Sequence, residues 1–286
     1  MNLIQKISIL VVLLVFTACD HNNPTPPSKP KVFDPNVKPI INGNWYKPKV
    51  NTSWQIQLYK EDKLFNTSYD VQLYEIDLFD VKDETIKKLK NDGRKIICYF
   101  SAGTYENWRS DKVSFLKYPT LIGKKLDNWP GERWLDIRDE RLAHIMIARL
   151  EKAKRIGCDG VDPDNVDAYE SSKEVTGFEI SEKDQLAYNK FLANEAHKRG
   201  LSIALKNDIE QVELLIDYFD FSVNESCIKQ KNCESLIPFK DKNKPVFNIE
   251  YTRNTIDKVC KESKNYKFKT LIMDDLLSDE FRHSCF

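Results

Sequence analysis

Short apolar runs recur along the chain, most of them ending in polar or charged residues. Eight stand out: "SWQIQL" (53–58), "VQLYEIDLF" (71–79), "KIICYFSAG" (95–103), "CDGVDPDN" (158–165), "LSIALKN" (201–207), "FDFSVNE" (219–225), "PVFNIEY" (245–251) and "FKTLIMDDL" (268–276). Their length and composition predict strands. Between several of them the period changes to that of a helix. "DERLAHIMIARLEKAKRIG" repeats apolar residues at three- and four-residue spacing and stops at Gly157. "SEKDQLAYNKFLANEAHKRG" offers Ser181 as N-cap and Gly200 as the stop,.

Eight strands alternating with helices predict an α/β fold, a (β/α)8 TIM-type barrel. The connections after the first and fifth strands are short for full helices, so the barrel is allowed to be irregular. The competing arrangement is a doubly wound open sheet. No Gly-rich phosphate loop supports it, since "SAGTYENW" is not a dinucleotide fingerprint,. The long segment from Thr104 to Arg138 reads as an excursion from the top face.

The N-terminus is a separate object. Residues 1–18 carry one early Lys, an apolar stretch from Ile7 to Phe16 and then small residues before Cys19. This predicts a signal peptide, too short for a comfortable membrane span. "FTAC" resembles a bacterial lipobox, making Cys19 the expected lipidation site. Residues 19–44 are rich in Pro, Asn and Ser and read as a flexible tether. Residues 45–286 form the expected barrel domain. The predicted protein is exported, lipid-anchored to a bacterial membrane and monomeric.

Lys and Arg number 44 and so do Asp and Glu, giving no net charge and no basic surface for general nucleic-acid binding,. Acidic clusters are therefore local. Export permits disulfides. Cys227 and Cys233 flank a short polar loop that one bridge could close, and Cys260 and Cys285 are candidates for another. Cys98 and Cys158 sit in apolar runs, where buried free thiols are expected.

In a barrel the active site forms at the C-terminal ends of the strands. That edge collects Asp77, Ser101, Asp162, Asp164, Lys206, Asn207, Glu225, Glu250, Tyr251, Asp274 and Asp275, while the strand interiors are mostly apolar. Asp162 and Asp164 share a face, and two like charges that close need an offset, for which Lys206 is the candidate. Glu225 reaches in from another strand. A carboxylate pair from two strands is what glycosidic bond cleavage needs. A divalent cation held by clustered Asp is an alternative. The four histidines, His21, His144, His197 and His283, all fall off the rim, which disfavours a His-rich zinc centre. Trp108, Trp129 and Trp134 lie in the excursion, where exposed rings could stack on sugars; packing onto the barrel is the competing role.

Six motifs in series carry a resemblance: "CYFSAGTYENWRSD", "NWPGERWLDIRD", "GCDGVDPDNVDAY", "EAHKRGLSIALKN", "FDFSVNESC" and "KPVFNIEY". Together, from about Trp54 to about Tyr251, they resemble glycoside hydrolase family 114, the endo-α-1,4-polygalactosaminidase-like proteins. The resemblance implies a (β/α)8 barrel that cuts α-1,4-linked galactosamine polymers with retention and without a cofactor. Carried over by motif, Asp164 becomes the nucleophile and Glu225 the acid/base, although the sequence permits the swap. The family often has Glu where this chain has Asp162, and Gln where it has Ser226. The similarity also favours a Cys227–Cys233 disulfide bracing the Glu225 loop. Galactosamine without acetyl groups is cationic, so Asp77, Asp136 and Asp162 are the expected ammonium contacts. Tyr99, Trp108, Trp129, Lys206, Asn207, Glu250 and Tyr251 complete the expected substrate-binding set. Two other functions stay open, a catalytically silent polysaccharide-binding lipoprotein and a metal-dependent hydrolase.

Overall fold

Each of the eight predicted runs forms a strand. In this computed structural model, which describes residues 33–59, 61–62 and 64–286, the strands are β1 (Trp54–Gln57), β2 (Leu73–Asp77), β3 (Lys95–Ser101), β4 (Thr104–Glu106), β5 (Ile122–Lys125), β6 (Glu132–Leu135), β7 (Gly160–Asp164), β8 (Ser202–Lys206), β9 (Phe221–Glu225), β10 (Val246–Glu250), β11 (Lys269–Met273) and β12 (Arg282–Ser284). The main sheet runs β1-β2-β3-β7-β8-β9-β10-β11-β12, parallel throughout except for the last pair. The order never reverses, so the switch point of a doubly wound sheet is absent from this sheet. The expected signal peptide and the Cys19 lipidation site lie outside the described residues.

The sheet curls until its ends meet at an irregular seam. The Trp54 indole donates to the Lys269 carbonyl at 2.8 Å, and the Leu58 amide to the Leu277 carbonyl at 3.0 Å. From β12, the Arg282 guanidinium donates to Gln55 of β1. The two-residue period sorts side chains between two cores. Trp54, Ile56, Leu73, Ile97, Ala204, Phe221, Phe247, Ile249 and Leu271 fill the interior, while Tyr74, Ile76, Ile96, Phe100, Val161, Ile203 and Leu205 face the helices.

The two long helices fall where the periodicity places them. One spans Arg141–Ile156 and ends on Gly157 in the left-handed region (φ 99°). The other spans Glu182–Lys198 and begins with a capping box, in which Ser181 and Asp184 satisfy each other's backbone amides,. The thin connections follow β1 and β8, as the sequence suggests. No helix separates β1 from β2, and β8 is followed only by short turns at Ile209–Gln211 and Val212–Leu215.

Two expectations are corrected. Residues 33–41 are docked rather than free: Phe33 packs against Tyr188 and Phe191, with ring centroids 5.4 and 4.6 Å away. Asn194 binds this segment twice, accepting from the Ile40 amide and donating to the Lys38 carbonyl, both at 2.9 Å. Scattered apolar residues in a Pro-rich stretch are enough to seat it. Cys98 and Cys158 are not free thiols but a disulfide, with Cα atoms 6.0 Å apart. Pairing of β3 with β7 across the excursion brings them into bonding range,. Cys227–Cys233 and Cys260–Cys285 are also bridged.

Candidate active site

Three strand ends position the central groups in the same way. Asp164, Lys206 and Glu225 each close a strand, and each is followed by a residue with positive φ: Asn165 (59°), Asn207 (51°) and Ser226 (62°). Left-handed backbone at a non-glycine residue is uncommon and costs on the order of 1–3 kcal/mol; Asn tolerates it best. The turn sends the chain away from the rim immediately after the functional side chain. Gly103 helps at the same edge, since a Cβ there would lie 1.7 Å from the Asn165 carbonyl oxygen.

Lys206 is almost fully buried and stands between the two carboxylates, its Nζ 3.2 Å from Asp164 Oδ1 and 3.6 Å from Glu225 Oε2. Tyr99 donates its hydroxyl to Asp164 Oδ2 at 2.7 Å, and the Asn165 amide donates to Oδ1 at 2.7 Å. Burial acts to raise the Asp164 pKa, but Lys206, Tyr99 and the Asn165 amide together hold it below the ordinary carboxylate range. Burial by itself would lower the Lys206 pKa; facing Asp164, Glu225 and Asp162, it ends well above the usual value. Glu225 is held by Asn207, which donates from Nδ2 to Oε2 at 3.3 Å and accepts the Glu225 amide at 3.0 Å, and by the Tyr251 hydroxyl.

These groups open into a cleft of about 560 Å³ at the C-terminal rim. It is lined by Asp77, Tyr99, Trp108, Trp129, Asp164, Lys206, Asn207, Glu225 and Tyr251 from the expected set. Trp108, Trp129 and Tyr59 are about half exposed on its edge. Trp134, by contrast, packs into the core.

Three expected contacts are not brought to the cleft, and a fourth is already occupied. Glu250 faces the helical side, where its carboxylate accepts from the Ile228 amide (2.8 Å) and from Asn248 (3.2 Å), bracing the loop that follows Glu225. Asp136 pairs with Arg138 at 2.7 Å. Asp162 does share the inward face with Asp164 but lies one layer down, fully buried opposite Glu75. Burial raises both groups, Asp162 to about 7 and Glu75 well above its usual value. Asp77 reaches the cleft with both oxygens taken by the Arg109 fork, at 2.9 and 2.7 Å.

The excursion supplies what the sequence reading lacked. β4, β6 and β5 form a small antiparallel sheet over the rim, anchored by buried Arg149, which grips Asp111 at 2.8 and 3.0 Å. It brings Glu106 and Glu132 to the cleft, and Asp167 joins them from the turn after β7. Burial, with Asp164 and Glu170 nearby, pushes Asp167 up to about 7. Thr104 and Tyr105 in "TYE" and Trp134 in "ERWL", residue types that favour strands, were the available signal for two of these strands,. Among the described residues, no group of three or more His, Cys, Asp or Glu side chains is arranged to hold a metal ion.

A parallel barrel whose rim presents two carboxylates around one lysine, in an open aromatic-edged cleft, has the architecture of a glycosidase. Residues 37–286 match the glycoside-hydrolase family GH114. The chain belongs to this family and is a glycoside hydrolase. Among solved structures it is similar to Aspergillus fumigatus Ega3 in complex with galactosamine, with 39% identity and a TM-score of 0.78, over 86% of this chain and 100% of that one. The glycoside hydrolase domain of PelA from Pseudomonas aeruginosa shares the fold at 12% identity and a TM-score of 0.62, over 81% and 98% of the two chains. No curated protein matches the chain significantly.

Proposed function

We propose that this hydrolase cleaves α-1,4-linked galactosamine-containing polysaccharide within the chain and with retention of configuration, using Asp164 and Glu225. One observation carries the reading: a single buried ammonium touches both carboxylates. Its two distances cap the separation of those oxygens at their sum, about 6.8 Å. Retaining enzymes hold their carboxyl groups roughly 5–5.5 Å apart and inverting ones roughly 6.5–9.5 Å, so the cap covers the retaining range and little of the other. The similarity to a protein crystallised with galactosamine supports the sugar.

Asp164, kept ionised, attacks the anomeric carbon while Glu225 gives its proton to the departing glycosidic oxygen. The C–O bond breaks, and a covalent glycosyl ester forms on Asp164. Glu225, now a carboxylate, takes a proton from water, whose oxygen attacks the same carbon and frees Asp164. A free amine lacks the acetyl carbonyl needed for substrate-assisted hydrolysis, which is why the protein must supply the nucleophile. Exposed rings at two places on the rim, Tyr59 after β1 and Trp108 with Trp129 in the excursion, support endo action by offering surface to neighbouring sugars,. The same reading has the chain act as a monomer, exported and lipid-anchored at Cys19; three disulfides support an oxidising compartment,.

The test is release of reducing ends from partially deacetylated α-1,4-linked galactosamine polymer by the full chain in EDTA, with proton NMR of the first-formed anomer. Turnover with retained α configuration, lost in folded Asp164→Asn and Glu225→Gln, is expected. Loss of turnover on chelation would overturn the metal-free mechanism, and turnover surviving both substitutions would overturn the assignment of the two carboxylates.

A further inference from the structure

Glu106 and Glu132 are direct partners in the antiparallel register of β4 and β6 and both line the cleft, 2% and 7% exposed. Like charges placed opposite one another across two strands destabilise a sheet. Arg109 answers only part of that charge, its Nε donating to Glu106 Oε1 at 2.8 Å. Glu106 Oε2 is buried without a hydrogen-bond partner, and Arg149 Nη1 stands 4.0 Å from it. Glu132 accepts from the Thr104 hydroxyl at 3.2 Å and forms no ion pair among the described residues. Around the pair stand Asp164 and Asp77, with Arg109 and Arg149 as the countercharges. Burial, then Glu106 and Asp164, push Glu132 up to about 8. Arg109 is shared with Asp77, Arg149 with Asp111, and Lys206 serves Asp164, so no cation among the described residues is left to pair with Glu132.

We propose that Glu106 and Glu132 form the receptor for the ammonium group of an amino sugar seated beside the reacting carboxylates. This rests on the reading of the cleft as a galactosamine-polymer site. An ammonium brings three N–H donors and the missing positive charge. An N-acetyl group at the same place brings no charge and turns a carbonyl oxygen toward carboxylate oxygens, so the pair selects for the free amine by repulsion as well as attraction. The aspartates expected to do this work are occupied or buried: Asp77 by Arg109, Asp136 by Arg138, and Asp162 beneath the rim.

The experiment is titration calorimetry of the full chain carrying Glu225→Gln, with and without Glu132→Gln, against an α-1,4-linked galactosamine tetramer and its fully N-acetylated counterpart. Glu132→Gln is expected to weaken the amine tetramer about 10- to 100-fold, the effect of a charge-assisted hydrogen bond, and to leave the acetylated one within about twofold. Glu132→Asp should recover part of the preference. Thermal stability should hold or rise in Glu132→Gln, since a like-charge contact is relieved; a purely structural role would lower it. Equal weakening of both tetramers, no weakening, or no binding of either overturns the proposal. So does loss of kcat with binding intact when Glu132→Gln is made in the otherwise wild-type chain, which would make Glu132 a proton donor. If the wild type never turns over polymer yet prefers the amine through Glu132, the receptor stands and the hydrolytic assignment falls.

Discussion

Replacing Lys206 by Met removes the only cation among the described residues that pairs with both central carboxylates. At an effective dielectric of about 20, the 3.2 Å contact with Asp164 is worth about 5 kcal/mol,. That figure is the ceiling on how much the Asp164 anion loses when the ammonium goes. Water entry and side-chain relaxation should leave about half of it. The sign follows from the role: Asp164 must be ionised to attack. In the wild type its carboxyl is held below the ordinary range, so activity should persist as pH falls through 5. Without the ammonium, burial dominates, and Asp164 takes up a proton at a higher pH. The acid limb of kcat/KM should then rise by about two pH units, with a several-fold loss at pH 5 that deepens toward about 100-fold only where the wild type itself falls off, and a much smaller one at pH 8. The assay is reducing-end release from pH 4 to 9, with melting curves to confirm folding and Lys206→Arg as the charge-retaining control. An acid limb that does not move, or a loss equal at every pH, would refute the electrostatic account of Lys206.

Opening the Cys98–Cys158 bridge with a double Ser substitution frees a 60-residue loop and should cost about 4 kcal/mol in urea unfolding on the chain-entropy account; a loss under about 1 kcal/mol would contradict it. Trp108→Ala, at a position 47% exposed on the cleft edge, should raise KM for polymer by about 3- to 10-fold while stability stays within about 0.5 kcal/mol. Unchanged KM would remove Trp108 from the sugar-binding surface.

The barrel was legible because its strands announce themselves twice, by apolar composition and by charged ends. The strand-end groups Asp164, Lys206 and Glu225 were readable for the same reason, and the structure places all three in one cluster. Glu250 was misplaced because position along the strand was read without its parity. Phe247 and Ile249 point inward, so Glu250, one residue on, must point out. Asp162 had the correct parity but the wrong depth, since one pleat below the rim is already interior. Glu106 and Glu132 were invisible for a different reason: their relation exists only in the pairing of two strands with twenty-five residues between them. Cys98 and Cys158 were hidden likewise, because apolar surroundings suit a free thiol and a disulfide equally well and only the β3–β7 pairing decides.

That bridge has a further meaning for the excursion it encloses. Every residue from Thr104 to Leu135 lies between two cysteines joined at the barrel wall, while Lys206 and Glu225 lie outside the loop and Asp164 just past its end. The piece of chain carrying Glu106, Trp108, Trp129 and Glu132 is therefore fastened at its base like a cartridge. Descendants of such a gene could lengthen, shorten or rewrite the insert while the barrel ladder beneath kept its register. Preference for one glycan over another would then be free to drift on a different evolutionary clock from the bond-breaking chemistry itself.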